Sequence, residues 1–474
     1  MFMPDQLRAD CVGAFGNSVA STPNIDALAA VGARFDNAWS QASVCTQSRI
    51  SMFTGWYPHS SGHRTLNNLL SPTEPNVFGS LRDAGYHVAL AGSRGDMMAP
   101  GVTEASCDRF GYTVRPALAD VGAWHAGVVP QDSPMRAAFY GGGLAHDLLD
   151  LDEAQTRTAV DWLTEGLPEP WCLLVALVYP HPPFTVGEPW FSMHDRAAVP
   201  SPLAPAAGKP RYHEAIRDSY RLDRLTDADW AELIATYYGM VSRVDDQLGR
   251  VMTALDDSGH DERTAVFFFT DHGEWLGDFG LVEKWPAALD DSLVRNPLLV
   301  RLPGAPAGRV VDSMAEMVDV SATVHDLAGI EAGYTCFGRS LVPVASGETD
   351  RHRDLAFSEG GFDPGEEPVL EERIDGDYER KVSLMHDDIT LCGKAVAVRS
   401  KDWTYVLRRH DTDELYDRAT DPAETTNLID AADHQDVVTS MRGHILDWLL
   451  ETSGVVPWDK DSRFDDALTA TWLG

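Results

Sequence analysis

The sequence predicts an α/β fold: a mostly parallel sheet flanked by helices, followed by a smaller C-terminal α+β unit that carries an antiparallel sheet. Two observations predict it. From residue 22 to about 345, β-branched runs alternate with amphipathic helical patterns, the sign of successive βαβ units. Beyond a charged, Gly/Pro-rich lapse at 347–372, closely spaced strand patterns and one closing helix replace that alternation. Domains are therefore expected at 1–345 and 346–474.

Taken in order, Thr22-Pro23 supplies an N-cap and a proline at the first helical position, opening a helix to Ala30. Apolar runs at 87–91, 172–179, 265–270 and 297–302 read as strands of a largely parallel sheet. Between the second and third, 233–255 has apolar residues at helical spacing with Asp245, Asp246 and Arg250 outward, so it reads as a long surface helix. The lapse at 347–372 reads as a domain connection or surface excursion. After it come strands at 395–399 and 403–408 and a helix over about 436–450. In such a fold, chemistry is expected outside the carboxyl ends of the strands.

Composition removes several function classes. With 73 Asp plus Glu against 38 Lys plus Arg, the formal charge is −35. A surface of that sign repels nucleic acid and anionic membrane, so neither is expected as a partner. The longest apolar stretch, 171–179, is about half the ~20 residues a membrane helix needs. The opening MFMPDQLRAD has neither the charged nor the apolar region of a secretory signal, which points to the cytoplasm. Six dispersed cysteines without a CxxC pair fit buried thiols better than a disulfide scaffold or a zinc ribbon.

Three segments bring polar residues to strand ends. In TAVFFFTDHGEWLGD an apolar strand runs into Asp271 and His272. Hard oxygen beside neutral nitrogen suits a divalent cation, and the same pair also suits an Asx-turn with a capping histidine. In CLLVALVYPHPPF, His181 leaves a second strand between prolines, as a rigid donor or a loop histidine. In QASVCTQSRISMFTGWYPH, Cys45 precedes a helix-like run with Arg49 four residues on.

The third segment resembles the sulfatase signature: Cys45, then Arg49, then Thr54-Gly55. DQLRAD at 5–10, TDHGEWLGDFGLVEKW at 270–285, NPLLVRLPG at 296–304, FGRSL at 337–341 and ELYDRATDPAETTNL at 414–428 resemble the same family in the same order. The resemblance implies an alkaline-phosphatase-like α/β domain with a smaller C-terminal domain. It implies a hydrolase of sulfate monoesters whose cysteine, here Cys45, is oxidised to formylglycine by a formylglycine-generating enzyme. A hydroxyl of the aldehyde hydrate then attacks sulfur. Position by position, it implies that Asp5, Asp271, His272 and modified Cys45 hold one divalent cation, calcium first and manganese second. Arg49 would steady the nucleophile, His181 would meet the sulfuryl group or leaving oxygen, and Lys284 in GLVEKW would bind a sulfate oxygen. The partner implied is thus a small anionic ester.

The chain departs from the usual pattern in identifiable places. Gln47 stands where the signature has Pro or Ala, and Gly92-Ser93 stands where a Gly-Lys pair normally supplies a substrate-binding lysine, so either Arg94 replaces the missing cation or the pocket binds its anion more weakly. Asp5-Gln6 and Asp271-His272 resemble the branch containing choline sulfatases and phosphonate monoester hydrolases. A phosphonate monoester or phosphodiester hydrolase using the same site is therefore one alternative. A non-hydrolytic anion binder with Cys45 left as thiol is another. His59, His63, Arg64 and Asn67 line the pocket or lie satisfied on the surface, and Trp275 and Trp285 pack structurally or against a substrate ring.

Overall fold

A computed structural model describes residues 1–92, 96–116, 129–130, 133–145, 149–373 and 376–455. Across its central eight-stranded sheet the order is Arg309–Val311, Ala33–Phe35, Leu298–Arg301, Val266–Phe268, Phe2–Met3, Trp171–Ala176, His87–Ala91 and Arg109–Gly111. Among the described residues only Leu298–Arg301 runs against its neighbours. The mostly parallel sheet that the alternating pattern predicts is therefore present.

The apolar runs have no polar alternation because both faces of the sheet are covered. Val266 and Phe268 pack into one core with helices Leu151–Glu165 and Asp227–Asp257. Phe267 and Phe269 point to the other face and pack with Cys45–Thr54, Val77–Asp83 and Asp319–Ala328. The strand read at 172–179 ends earlier, as Trp171–Ala176, because the backbone turns away before the prolines around His181.

Two expectations are corrected. The long helix is Asp227–Asp257, opened by a Thr226–Asp229 capping box, and it is largely buried rather than a surface element. Asp245 points inward: its carboxylate accepts from the backbone amides of Asn24 (2.9 Å) and Ile25 (2.8 Å), capping the helix Pro23–Val31. The acidic stretch 347–372 is not merely a connection. It supplies strand Ala356–Gly360, which pairs antiparallel with Ala395–Arg399 and begins a four-stranded sheet continued by Trp403–Arg408 and Glu414–Asp417. Helix Gln435–Glu451 covers that sheet through Val438, Met441, Ile445 and Trp448. No helix among the described residues is long and apolar enough to cross a membrane.

Candidate active site

Three adjacent parallel strands end at one place. Phe2–Met3 leads to Asp5, Val266–Phe268 to Asp271 and His272, and Trp171–Ala176 to His181. Cys45 begins the helix Cys45–Thr54 and so presents its thiol at the positive end of the helix dipole, with Arg49 one turn on along the same face. Gly273 is required here, since a Cβ would lie 1.9 Å from the Ser292 carbonyl oxygen. That close contact clamps the Asp-His turn.

The four residues Asp5, Cys45, Asp271 and His272 are buried, and each offers a ligand atom within 4.8 Å of the others. Arg49 bridges the two carboxylates, donating through Nε to Asp271 Oδ2 at 2.8 Å and through a terminal nitrogen to Asp5 Oδ2 at 2.6 Å. The other Asp271 oxygen accepts from the amides of Gln6 (3.0 Å) and His272 (2.9 Å). Burial opposes ionisation of Asp271, but His272 and Arg49 hold its carboxyl below the usual range. Asp5 is pushed well above that range by burial and by Asp271 beside it. Among the described residues its Oδ1 has the Cys45 thiol, at 3.8 Å, for a donor and lies 3.8 Å from His272 Nε2.

His272 Nδ1 contacts the Gly273 carbonyl at 2.9 Å, which leaves the Nε2 lone pair facing the centre, 3.2 Å from Cys45 Sγ. Burial lowers its pKa to about 4. Two carboxylates and a neutral imidazole with an under-filled oxygen among them fit a hard divalent cation. The thiol is the poor match in this donor set; an oxygen at that position would be a good one. Burial, and then the Asp5 carboxylate, push the Cys45 thiol well up, so the unmodified side chain is a weak nucleophile.

Lys284 and His181 form the second part of the site. The Lys284 ammonium donates to Gln6 Oε1 (2.6 Å), Glu283 Oε1 (2.6 Å) and His181 Nε2 (2.9 Å), so its three protons meet three acceptors. Burial and the Lys284 charge lower the His181 pKa to about 3, keeping the ring neutral with Nδ1 on the Pro182 carbonyl at 2.7 Å. Asp152 fixes the loop that carries His181 by accepting from the amides of Val178 and Tyr179, each at 2.7 Å.

Several site residues carry no predicted role. Gln6 and Glu283, the two side chains that aim Lys284, have left-handed backbones with φ of 62° and 70°. Such conformations cluster where function over-determines the backbone. Gln6 Nε2 donates to Glu274, and Lys381 Nζ grips Glu283 Oε2 at 2.7 Å from far along the chain. The chain has only six lysines in 474 residues, and that scarcity is the one sequence signal for Lys381. Arg94 lies outside the described residues. The neighbouring Asp96 carbonyl accepts from Thr46 Oγ1 at 3.0 Å.

The remaining predicted residues are occupied structurally. His59 is held by Glu359 (2.7 Å) and Thr452 (2.9 Å), and His63 by the Asn68 carbonyl (2.9 Å) and Glu74 (3.0 Å). Arg64 pairs with Glu366, while Asn67 donates to the Leu370 carbonyl at 3.3 Å. Trp275 and Trp285 are fully buried in the core.

The sulfatase family model matches residues 2–330. The chain belongs to the sulfatase family. It is 28% identical to the uncharacterized sulfatase YidJ of Escherichia coli (strain K12), covering all of this chain and 91% of that protein. It is 26% identical to the choline-sulfatase of Rhizobium meliloti (strain 1021), covering 90% and 81%. Its fold is similar to that of the phosphonate monoester hydrolase of Agrobacterium radiobacter, with a TM-score of 0.75, 25% identity and 95% of each chain covered. As a member of this family the chain is a hydrolase, and both sulfatases and phosphonate monoester hydrolases stand among its relatives.

Proposed function

We propose that this sulfatase hydrolyses sulfate monoesters, with formylglycine derived from Cys45 as nucleophile and one divalent cation, calcium first and manganese second, at Asp5, Asp271, His272 and the modified Cys45. The observation that carries the reading is the convergence of those four buried side chains within 4.8 Å, beneath a lysine and a neutral histidine. When bound, the cation would supply positive charge that lowers a hydroxyl pKa and offsets the negative charge of the ester.

The chain's own residues do the rest. Arg49 keeps Asp5 and Asp271 together and offsets their repulsion. Lys284 binds an ester oxygen, exchanging one of its three acceptors for the substrate. The exchange that frees His181 Nε2 leaves that nitrogen facing the reacting group, close to the leaving oxygen. Arg94 is assigned to the substrate's anionic end. A formylglycine-generating enzyme is the required partner.

Peptide mass spectrometry of protein from the native host tests the nucleophile. The Cys45 peptide is expected to show the exchange of sulfur for oxygen and the loss of two hydrogens. Thiol alone would support the non-hydrolytic anion-binding reading instead. A second hydrolytic reading, phosphonate monoesters or phosphodiesters, is favoured by Gln6, which stands in the Asp5-Gln6 pair and holds Lys284. Comparing kcat/KM on matched nitrophenyl sulfate and phenylphosphonate esters separates the two; a phosphonate preference of orders of magnitude would sink the sulfate assignment.

A further inference from the structure

Helix Glu379–Asp387 reaches the site from the C-terminal part of the chain, and Tyr378 stands at its head. The Tyr378 ring lies tilted at 39° to His181, with centroids 6.5 Å apart, and Phe139 packs on it at 5.0 Å. Its neighbour on the helix, Lys381, places its ammonium 5.7 Å from the ring centroid and is itself pinned to Glu283 at 2.7 Å. Glu283 in turn holds Lys284. An ion pair thus registers this helix against the substrate-binding lysine, and the tyrosine is fixed on the same side of the site as His181.

The Tyr378 hydroxyl is buried and has no hydrogen-bond partner among the described residues. Buried hydroxyls are ordinarily paired, so one without a protein partner that also sits beside a reactive cluster calls for an account. Burial and the Glu283 carboxylate hold the phenol well above its ordinary pKa, so it is a proton donor at any working pH. No acceptor nearby bonds it: Glu283 accepts from the Lys284 and Lys381 ammonium groups and the Lys284 amide, His181 Nε2 faces Lys284, and neither makes a hydrogen bond with the Tyr378 hydroxyl. A donor without an acceptor, beside a lysine and a histidine, suits an oxyanion.

We infer that Tyr378 is a further substrate-binding residue whose hydroxyl donates to a nonbridging oxygen of the anionic ester group beside His181. The inference rests on the ester-hydrolase reading above for its substrate.

Tyr378→Phe tests it, since the ring contacts with Phe139 and His181 survive and only the donor is lost. The expected result is a fall of about tenfold to a hundredfold in kcat/KM, the size of one hydrogen bond to a charged group. Affinity for inorganic sulfate, measured by calorimetry, should fall by a similar factor. The melting temperature should not fall, because the deleted hydroxyl bonds to none of the described residues. Unchanged kcat/KM with unchanged sulfate affinity would overturn the contact while leaving the hydrolase intact. Wild-type protein that cleaves neither sulfate nor phosphonate esters, yet binds sulfate more tightly than Tyr378→Phe, would sink the hydrolase reading and keep the contact. A kcat/KM loss confined to poor leaving groups, with sulfate affinity intact, would move the donor to the leaving oxygen and overturn the nonbridging assignment.

Discussion

Two buried clusters in this protein have nearly the same composition and opposite character. At Glu316 and Asp319, Arg353 bridges two carboxylates, with contacts of 2.8 Å to Glu316 and 2.9 Å to Asp319. At Asp5 and Asp271, Arg49 does the same at 2.6 and 2.8 Å. The first cluster is complete: Glu316 also accepts from the Tyr57 hydroxyl and the Phe357 amide, both at 2.8 Å. Asp319 is contacted by the amides of Glu316 (3.0 Å) and Arg339 (2.8 Å) and by His352 (2.8 Å). In the second cluster one Asp5 oxygen faces a thiol and an imidazole nitrogen at 3.8 Å each. Residue types therefore do not separate a structural ion cluster from a site. Unfilled acceptors do.

The contrast can be broken at either end. Cys45→Ala removes the nucleophile proposed above from the incomplete cluster, and kcat should fall by at least about 10^4-fold, as for loss of a catalytic nucleophile elsewhere. The thermal melt of chelator-treated protein should change little, because the side chain's polar contacts among the described residues are His272 Nε2 at 3.2 Å and Asp5 Oδ1 at 3.8 Å. Arg353→Leu acts on the complete cluster and should cost about 3–5 kcal/mol in a urea titration by stranding two buried carboxylates. Activity per folded molecule should persist. A loss of only about 0–1 kcal/mol, typical of exposed pairs, would erase the distinction.

What the sequence makes legible follows the range of the interaction. Strand His87–Ala91 and strands Ala395–Arg399 and Trp403–Arg408 match their predicted limits because local apolar patterning defines them. Cys45 with Arg49, and Asp271 with His272, are readable because a helical turn or a strand end sets their spacing. The residues that complete the site are not readable in that way. Lys381 reaches Glu283 across the chain, and Gln6 and Glu283 act through left-handed backbones that no side-chain pattern announces. Asp245 looks solvated because it sits beside Asp246, yet the helix N-terminus it caps lies more than 200 residues away. Strand Ala356–Gly360 is hidden by Ser358 and Glu359, whose polarity is satisfied by the Ser40 carbonyl (2.6 Å) and by His59.

Smaller effects sharpen the comparison further. Lys284→Ala should lose about 2.7–4 kcal/mol of transition-state stabilisation, about 10^2–10^3 in kcat/KM, as when one preorganised donor is removed. Near-normal kcat/KM would remove Lys284 from the site. Calcium or manganese added to chelator-treated protein at a hundredfold excess over Kd should raise stability by about 2.7 kcal/mol. Asp271→Asn should abolish that rise. A melt indifferent to both ions in the wild type would mean that the open Asp5 oxygen does not recruit a cation.

The smallest effect concerns the His63–Glu74 pair, which lies near helix Cys45–Thr54 and outside both clusters. Burial pulls the His63 pKa down, but hydrogen bonds with Glu74 and the Asn68 carbonyl outweigh it, leaving the value above the ordinary 6.5. Burial likewise raises Glu74, and His63 outweighs it to leave that carboxyl below 4.5. A raised histidine stabilises fully below its unfolded pKa and loses that contribution as pH rises through the folded value. A lowered carboxylate loses its contribution as pH falls through its own folded value. The pair therefore stabilises most between about pH 4.5 and 6.5 and fades on either side. Because Glu74 is partly exposed, the amplitude is at most about 1 kcal/mol. Urea midpoints of wild type and Glu74→Gln should differ most near pH 5.5 and converge above neutrality. A constant difference across that range would show that Glu74 acts through its bond to the Ser71 amide at 2.6 Å, which does not titrate with His63.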